Sequence, residues 1–319
     1  MTRVGDDVTR RTGIGDDPAG TSRAADGVTR LGDPSRAADG AGPAVLRRRA
    51  AVLGSPIDHS LSPVLHRAAY RALGLDWSYD AIECDETRLG TLLDELGPEF
   101  VGLSLTMPLK RAVLPLLDDV SPLARDVGAV NTVTFLDEPA RRRRVGDNTD
   151  VTGMVAALRG VNPRPAAGRV VVLGAGGTAA AALAAVREFG WAEVGVVVRD
   201  QGRAAALRTA ADRLGVQLTF TAWPGLAAVA DAALVISTVP AGAADRVARE
   251  APLRAGQVVF DVIYHPWPTP LAAAARSAGC TVIGGLELLV RQAAAQVEQW
   301  TGRPAPIDAM RAAVRDRLD

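Results

Sequence analysis

The chain has 319 residues, of which 48% are hydrophobic, so it is long enough for two domains that each bury a core. Its 36 Lys and Arg residues equal its 36 Asp and Glu residues, and this balance gives no support to binding of nucleic acid or of an acidic membrane surface. The sequence has no apolar run long enough to span a bilayer, no apolar core of a signal peptide, and only two cysteines, Cys84 and Cys280, in apolar surroundings. We therefore expect a cytoplasmic protein that has neither a disulfide nor a metal site.

Small and polar residues dominate residues 1–43, where large apolar side chains are almost absent. The hexamer Ser-Arg-Ala-Ala-Asp-Gly occurs at 22–27 and again at 35–40, but a unit so short and polar cannot build a core. The composition predicts a disordered, low-complexity tail, to which we assign no function.

Two serines stand close to the start of the first predicted helix. A short strand at 51–54 is followed by His59, Ser60 and Ser62, and a helix is predicted over 63–73. Ser62 can cap this helix, which is a purely structural role. His59 and Ser60 have no such local role, and two hydroxyl groups ahead of a helix can also bind a carboxylate or polyhydroxy ligand. The spacing leaves both interpretations open.

A lysine falls at an unusual place in the next segment. Strands are predicted at 79–83 and 101–105, with a helix over 86–96 between them. Pro108 can end the second strand and open a helix, so Lys110 lies in a first helical turn. The positive end of a helix disfavours a cation. Lys110 is therefore either a solvated surface residue or a group placed for acid–base chemistry.

A dense polar segment precedes the next helix. After a strand predicted at 129–135 come four arginines, 141–144, which we interpret as the solvated tip of a hairpin. The pentapeptide Gly-Asp-Asn-Thr-Asp follows at 146–150, directly before a helix predicted over 152–158. Asp150 can be the cap of that helix. Residues of these types packed so densely also form ligand-binding loops.

The stretch 168–190 carries the fingerprint of a dinucleotide-binding fold. Val170 to Leu173 is an unbroken apolar run, as in a parallel strand buried on both faces, and an alanine-rich helix follows the glycines. Gly174 permits a tight turn, Gly176 lets the backbone approach a pyrophosphate, and Ala179 lets the helix lie close to the strand. The helix N-terminus offers N–H groups to phosphates, which favours a dinucleotide site over an unrelated glycine turn.

The loop after the next predicted strand, 193–198, bears on the choice of cofactor. Arg199 and Arg203 stand where guanidinium groups would meet a 2′-phosphate, which favours NADP. Asp200 is an anion in the same loop, where NAD-binding chains carry an acidic residue for the ribose. Further strands are predicted at 218–221, 234–238, 258–263 and 281–283, and helices at 271–277, 284–300 and 307–318.

Seven short motifs occur in an order that resembles the shikimate dehydrogenase family. They are Gly54-Ser-Pro-Ile-Asp-His-Ser-Leu-Ser-Pro63, Leu105-Thr-Met-Pro-Leu-Lys110, Gly128-Ala-Val-Asn-Thr132, Gly146-Asp-Asn-Thr-Asp150, Gly174-Ala-Gly-Gly177, Tyr264-His-Pro-Trp-Pro-Thr-Pro270 and Gly285-Leu-Glu-Leu-Leu-Val-Arg-Gln292. Each motif is weak alone, but the set is specific and spans nearly all of residues 52–301.

The resemblance implies a fold, a reaction and a set of site residues. The fold is α/β, with a Rossmann-type parallel-sheet domain, residues 150–289, inserted into an α/β substrate-binding domain of residues 44–149 and 290–319. The reaction is the reversible reduction of 3-dehydroshikimate to shikimate by NADPH, on the way to chorismate and the aromatic amino acids, in a monomer or homodimer. The implied catalytic pair is Lys110 and Asp150. The residues implied to hold the substrate are Ser60, Ser62, Thr106, Asn131, Asp150, Tyr264 and Gln292. The residues implied to hold NADP(H) are Gly174, Ala175, Gly176, Gly177, Thr178, Ala179, Arg199, Arg203, Thr238, Val262 and Gly285.

Three features depart from the family pattern. The cofactor loop, which commonly reads Asn-Arg-Thr in the family, reads Val198-Arg199-Asp200 here and keeps the arginine. Ser104 stands where the family often has asparagine, which replaces one possible amide contact by a hydroxyl, and Glu287 adds a charge that we expect near the nicotinamide end of the cleft. An alternative function is that of an NAD-linked quinate/shikimate dehydrogenase, which Asp200 favours. Another is a non-catalytic dinucleotide-binding regulatory module, although a pure binder has no need of both Lys110 and Asp150.

Overall fold

The computed structural model describes residues 47–139, 141–163 and 168–318. The tail predicted to be disordered, residues 1–43, lies outside the described residues. Within the described residues, none of the helices combines the length and the apolar character that crossing a bilayer requires.

A first, mixed sheet is formed by the N-terminal half of the chain, in the strand order β2-β1-β3-β5-β6-β4. Its strands are β1 (Arg49–Gly54), β2 (Ser78–Glu83), β3 (Phe100–Leu105), β4 (Asp119–Val120), β5 (Thr132–Asp137) and β6 (Arg142–Asp147). β1 lies between β2 and β3 and is parallel to both, whereas β5 is antiparallel to its neighbours β3 and β6. The parallel strands β1 and β3 therefore bring their carboxyl ends to one edge.

A second sheet has six parallel strands, in the order β12-β11-β10-β7-β8-β9. Its strands are β7 (Arg169–Leu173), β8 (Glu193–Val198), β9 (Gln217–Ala222), β10 (Ala232–Ser237), β11 (Val258–Asp261) and β12 (Thr281–Gly284). Chain order reverses between β7 and β10, which is the arrangement of a Rossmann sheet and the point where such sheets bind dinucleotides. The Rossmann-type prediction is confirmed.

Helices cover both sheets. They are α1 (Ser62–Ala72), α2 (Leu89–Glu95), α3 (Leu109–Ala112), α4 (Pro122–Val127), α5 (Thr149–Arg159), α6 (Gly177–Glu188), α7 (Ala205–Leu214), α8 (Leu226–Asp231), α9 (Asp245–Glu250), α10 (Pro270–Ser277), α11 (Gly285–Thr301) and α12 (Ile307–Leu318). β7 packs against the buried alanine face of α6, because side chains this small let the helix lie close to the strand.

Two helices, α5 and α11, connect the two sheets. They follow β6 and β12 respectively and pack against each other. Met154 and Leu158 of α5 join the apolar core around β7 and β8, whereas Val290 and Val297 of α11 join the core around β1 and α1. α5 therefore packs with the second sheet, to which it leads. α11 follows the last strand of the second sheet and brings the chain back to the first.

The structure corrects two of the predicted helix caps. The N-cap of α1 is Leu61, and Ser62 is the first helical residue, so Ser62 does not cap this helix. At the start of α5 the cap is Asn148, whose side-chain oxygen accepts a hydrogen bond from the Val151 amide, so Asp150 lies inside the first turn. The serine and the aspartate are therefore both free of capping roles.

The prediction of a solvated hairpin tip at 141–144 is wrong for three of the four arginines. Residues 142–144 lie in β6 and pair with β5. The Arg142 guanidinium lies 4.3 Å from the centre of the Phe135 ring and donates to the Gly97 carbonyl at 2.6 Å. Phe135 on the neighbouring strand and the carbonyl of Gly97, 45 residues earlier, hold this cation in the sheet, and the run of arginines itself does not reveal these partners.

Candidate active site

A cavity of about 300 Å³ lies between elements of the two sheets. The carboxyl ends of β1 and β3 and the first turns of α3, α5, α6 and α11 all contribute to its wall. All of the predicted substrate and catalytic residues line it: Ser60, Ser62, Thr106, Lys110, Asn131, Asp150, Tyr264 and Gln292. Three of the residues predicted to hold the cofactor line it as well: Thr178, Val262 and Gly285.

Lys110 and Asp150 form an ion pair in the wall of this cavity. The Lys110 Nζ lies 2.5 Å from the Asp150 Oδ2, and the two side chains are 19% and 10% exposed. α3 brings the lysine from the end of β3, and α5 brings the aspartate from the end of β6. The Lys110 Nζ makes no other hydrogen bond to a described residue, so its remaining N–H groups are available to a ligand.

Asn131 completes the hydrogen bonding of the aspartate. Its Nδ2 donates to the Asp150 Oδ1 at 2.8 Å, so each carboxylate oxygen of Asp150 accepts one hydrogen bond. The Asn131 Oδ1 accepts from the Thr149 amide at 2.7 Å, which turns the Asn131 nitrogen toward the aspartate. Gln292 lies beside them, with its Oε1 3.5 Å from the Asn131 Nδ2. A carboxylate held through both of its oxygens fixes the position of the ammonium group that it binds.

Hydroxyl groups cover another part of the wall. Ser60, Ser62, Thr106 and Tyr264 line the cavity, and the Ser60 Oγ accepts a hydrogen bond from the Ser62 amide at 3.3 Å. Burial raises the pKa of the Tyr264 phenol, so this group remains a hydrogen-bond donor at neutral pH. A wall of this kind suits a small ligand that carries several oxygen atoms.

Glu83 supports this wall and was not predicted from the sequence. Its carboxylate accepts from the Ser55 hydroxyl at 2.5 Å and from the Ile57 amide at 3.0 Å. Both donors lie in the loop that leads from β1 to Ser60. A glutamate at the end of a strand carries no local signal of such a role, because its partners come from a neighbouring strand's loop.

The departures from the family pattern at Ser104 and Glu287 have different outcomes. Ser104 lines the cavity, but its hydroxyl accepts from Tyr79 at 2.6 Å and donates to Gln296 at 2.8 Å, so its hydrogen is already used. Of this part of α11, Gly285, Leu288, Leu289 and Gln292 line the cavity and Glu287 does not. The expectation that Glu287 charges the cleft is therefore wrong, and its carboxylate binds Arg291 at 2.7 Å and Arg311 of α12 at 3.3 Å. Burial opposes this charge, but the two arginines outweigh burial and hold the pKa of Glu287 below its ordinary value.

The glycine turn of the second sheet faces the same cavity. Gly174 has a φ of +104°, which favours glycine, and α6 begins at Gly177. A Cβ atom added at Gly177 would lie 3.9 Å from the Cδ of Lys110, so the start of α6 and the lysine are neighbours. A Cβ added at Gly176 would have no heavy atom within 4 Å. The space at the N-terminus of this twelve-residue helix is open, as a pyrophosphate requires.

The other predicted cofactor residues surround this turn. Ala175 and Ala179 pack in the core beside β7, and the Thr238 hydroxyl donates to the Leu173 carbonyl at 2.7 Å. A Cβ atom at Gly285 would overlap the Val262 carbonyl, so only glycine permits the first turn of α11 to come this close. Thr238 therefore shapes the crevice through a hydrogen bond, and Gly285 does so through close packing.

Arg199, Asp200 and Arg203 are exposed at the end of β8. Neither arginine forms an ion pair with a described residue, which leaves both guanidinium groups available to an anion. The Asp200 Oδ1 accepts from the Gly202 amide at 2.8 Å and caps the short 3₁₀ helix Gln201–Ala204 that carries Arg203. Asp200 thus holds the loop in shape. Among the described residues, no cluster of three or more His, Cys, Asp or Glu side chains could hold a metal ion.

Comparisons with known proteins agree with this geometry. The family model described as "Shikimate dehydrogenase substrate binding domain" matches residues 52–133, and the one described as "Shikimate 5'-dehydrogenase C-terminal domain" matches residues 285–315. The chain is 36% identical over 286 residues to the shikimate dehydrogenase (NADP(+)) of Trichormus variabilis, covering 84% of this chain and 96% of that protein.

Similar solved structures also come from shikimate dehydrogenases. The chain is similar to the crystal structure of Mycobacterium tuberculosis shikimate dehydrogenase, with 46% identity and a TM-score of 0.75 over 85% of this chain and 100% of that one. It is also similar to shikimate 5-dehydrogenase from Thermus thermophilus in complex with NADP(H) and shikimate, with 36% identity and a TM-score of 0.72 over 85% of this chain and 100% of that one.

Proposed function

This chain belongs to the shikimate dehydrogenase family, and we propose that it catalyses the reversible NADP-linked interconversion of shikimate and 3-dehydroshikimate. The observation that carries the proposal is the Lys110–Asp150 ion pair in a cavity that the start of α6 also borders. A small-molecule substrate and a nicotinamide cofactor can therefore reach the same ammonium group.

We propose that the hydroxyl wall holds the substrate. Shikimate carries one carboxylate and three hydroxyl groups, and Ser60, Ser62 and Tyr264 offer O–H donors suited to the carboxylate. Thr106, Asn131 and Gln292 offer both donors and acceptors for the ring hydroxyls. A polar ligand of this size fits a cavity of about 300 Å³.

In the proposed mechanism Lys110 transfers the proton and Asp150 holds the lysine in place. In the direction of reduction, the Lys110 ammonium donates a hydrogen bond to the substrate carbonyl oxygen and gives it a proton as negative charge develops there. In the direction of oxidation the amine takes that proton back. Asp150 accepts from Lys110 through one oxygen and from Asn131 through the other, and it can also accept from a ring hydroxyl.

We propose that NADP(H) lies along the glycine turn, where it supplies or accepts the hydride. The open space at Gly176 and the N–H groups at the start of α6 fit the pyrophosphate. The unpaired guanidinium groups of Arg199 and Arg203 fit a 2′-phosphate. Asp200 caps its own loop, so its presence does not require a ribose 2′-hydroxyl partner.

We propose a cofactor domain of residues 150–289 and a substrate domain of residues 44–149 and 290–319, with closure of the cleft between them when both ligands bind. If crystal structures with and without both ligands superimpose, the cleft does not close and this proposal is wrong.

We also propose that the enzyme is cytoplasmic and draws on the NADP(H) pool there. We propose that it is a monomer or a homodimer, and size-exclusion chromatography distinguishes the two.

A spectrophotometric assay tests the proposed function. NADPH formation at 340 nm is measured with shikimate and NADP, and the assay is repeated with NAD and with quinate. We expect turnover of shikimate with a clear preference for NADP. A preference for NAD or quinate would support the quinate/shikimate alternative, and cofactor binding without any turnover would support the non-catalytic module.

A further inference from the structure

A row of buried polar side chains, partly in the cavity wall and partly behind it, ends at Asp150. Tyr79, Ser104, Gln296, Thr132 and Asn131 belong to it, and none of them is more than 4% exposed. The successive distances are 2.6 Å from Tyr79 to Ser104, 2.8 Å from Ser104 to the Gln296 Oε1, 2.9 Å from the Gln296 Nε2 to Thr132, 2.8 Å from Thr132 to the Asn131 Oδ1, and 2.8 Å from the Asn131 Nδ2 to Asp150.

The chemistry of the amides sets the direction of this row. The Gln296 oxygen can only accept, so Ser104 donates its single hydrogen to it and accepts one from Tyr79. The Gln296 nitrogen can only donate, so the Thr132 oxygen accepts from it and keeps its own hydrogen for the Asn131 Oδ1. Every donor in the row therefore points toward Asp150.

The orientation of Asn131 depends on the donors around its side-chain oxygen. Besides Thr132, that oxygen accepts from the Thr149 amide at 2.7 Å and from the Thr149 hydroxyl at 3.1 Å. The Thr149 hydroxyl also lies 3.0 Å from the Thr132 hydroxyl, so its hydrogen can turn to either partner. While Gln296 donates to Thr132, both threonine hydroxyls can donate to Asn131.

We propose that Gln296 is a positioning residue: by donating to Thr132, it sets the direction of hydrogen bonding that keeps the Asn131 amide nitrogen on Asp150. Gln296 lies one helical turn beyond Gln292, so α11 presents one glutamine to the cavity and a second to the layer behind it. The Gln296 Nε2 also lies 3.4 Å from the Asn131 carbonyl, which links it to the same residue through the backbone.

The substitution Gln296→Glu tests the direction of the row. An ionised carboxylate only accepts, so Thr132 would donate to it, and the Thr149 hydroxyl would then turn to the Thr132 oxygen. The Asn131 Oδ1 would keep only the Thr149 amide, and a further negative charge would lie in the network. We expect a crystal structure of the variant to show the Asn131–Asp150 contact lengthened beyond about 3.5 Å, the limit for a hydrogen bond.

A kinetic measurement on the same variant rests on the proposed function. We expect its kcat/KM for shikimate to be about tenfold below that of the unmodified chain at pH 9, the effect of losing one hydrogen bond to a charged group. The deficit should shrink toward pH 6, because a protonated carboxyl can again donate to Thr132. In the unmodified chain, burial lowers the pKa of the adjacent His66 to about 4 and raises the pKa of Tyr79, so neither group ionises between pH 6 and pH 9 in that reference protein.

Two other variants separate positioning from simple stability. Gln296→Met keeps the length of the side chain without a charge and removes the donor to Thr132, so we expect a lower kcat/KM at every pH. Tyr79→Phe removes only the first hydrogen bond of the row and should leave kcat, KM and the pH profile within about twofold, because the donors that follow keep their direction.

The outcomes are distinct. If both Gln296 variants lower only the melting temperature and keep the kinetics and the Asn131–Asp150 distance of the unmodified chain, Gln296 has no positioning role. If the unmodified chain does not oxidise shikimate, the proposed function fails, whereas the Asn131–Asp150 distance in the Gln296→Glu structure still decides the role of Gln296.

Discussion

Gly153 of α5 lies directly against the backbone of Gln292 on α11: a Cβ atom added at Gly153 would be 3.0 Å from the Gln292 amide nitrogen and 3.1 Å from the Leu288 carbonyl oxygen. The helices can cross this closely only because the residue at the crossing has no side chain. Asp150 lies one turn before the crossing, so the contact determines how far the aspartate is from Gln292 across the cavity.

The substitution Gly153→Ala should push α5 and α11 apart by a few tenths of an ångström. Overpacking of this kind costs about 1–3 kcal/mol, more than the helix propensity gained from alanine, which is about 1 kcal/mol. We expect a lower melting temperature and a higher KM for shikimate, with little change in the Kd of NADP. Gly90→Ala is the matched control, since a Cβ there has no atom within 4 Å; an equal rise in KM in both variants would contradict this account.

His66 should make the protein less stable in acid. It is fully buried, its ring is stacked on Tyr79 with centroids 3.9 Å apart, and burial lowers its pKa from 6.5 to about 4. Below pH 6.5 the unfolded chain therefore takes up a proton that the folded chain refuses, and stability falls until about pH 4. A difference of this size corresponds to roughly 3 kcal/mol.

The substitution His66→Asn isolates this effect. Asparagine can still donate to the Ser62 carbonyl, as the His66 Nδ1 does at 2.9 Å, but it does not titrate. Urea unfolding at pH 7 and pH 4.5 should show a smaller loss of stability for the variant than for the unmodified chain. An identical loss in both proteins would mean that other groups cause the acid sensitivity.

Arg199 should control the choice between the two nicotinamide cofactors. Loss of one charge-assisted contact to a 2′-phosphate costs about 1.5–3 kcal/mol, so Arg199→Ala should weaken NADP binding by about tenfold to a hundredfold. NAD has no 2′-phosphate, and its Kd should change little, which makes it the internal control. Calorimetric titration measures both constants. If the binding of NAD and of NADP weakens equally, Arg199 does not contact the 2′-phosphate.

Asp200 should affect the same preference in the opposite direction. Asp200→Asn keeps a side-chain oxygen that can accept from the Gly202 amide and removes a negative charge from the phosphate loop. We expect tighter binding of NADP by a few-fold, whereas Asp200→Ala should lose the cap and with it part of the affinity. Weaker NADP binding by Asp200→Asn would show that the charge itself is needed.

The strands and turns of the second sheet can be predicted from the sequence more fully than the contacts that the polar side chains near the site make. An unbroken apolar run such as Val170–Leu173 indicates a buried strand from its own residues alone. The glycines that follow indicate the turn in the same way, because the turn needs a backbone conformation that glycine favours. The sequence does not indicate where the Glu287 carboxylate lies, because its partner Arg311 is 24 residues away on another helix. Gln296 lies in an alanine-rich run that indicates no role for it, because only the packed structure brings its amide to Thr132. Contacts between distant segments determine these roles, and a local pattern does not record them.

Glu287 should therefore matter for stability and not for turnover. Its ion pairs with Arg291 and Arg311 are partly exposed, and such pairs contribute about 1 kcal/mol or less. Glu287→Gln should lower the melting temperature slightly and leave kcat/KM unchanged. A clear change in kcat would show that the Glu287 charge acts on the reaction in the cleft.

The turnover of Lys110→Ala tests most directly the claim that the Lys110 ammonium, held by Asp150 beside the start of α6, transfers the proton. Shikimate oxidation by the variant is measured at saturating NADP, together with the Kd of NADP. We expect kcat to fall by about a thousandfold, within the range for loss of a general acid–base group, with the Kd of NADP nearly unchanged. A kcat within a few-fold of the unmodified chain would contradict the account.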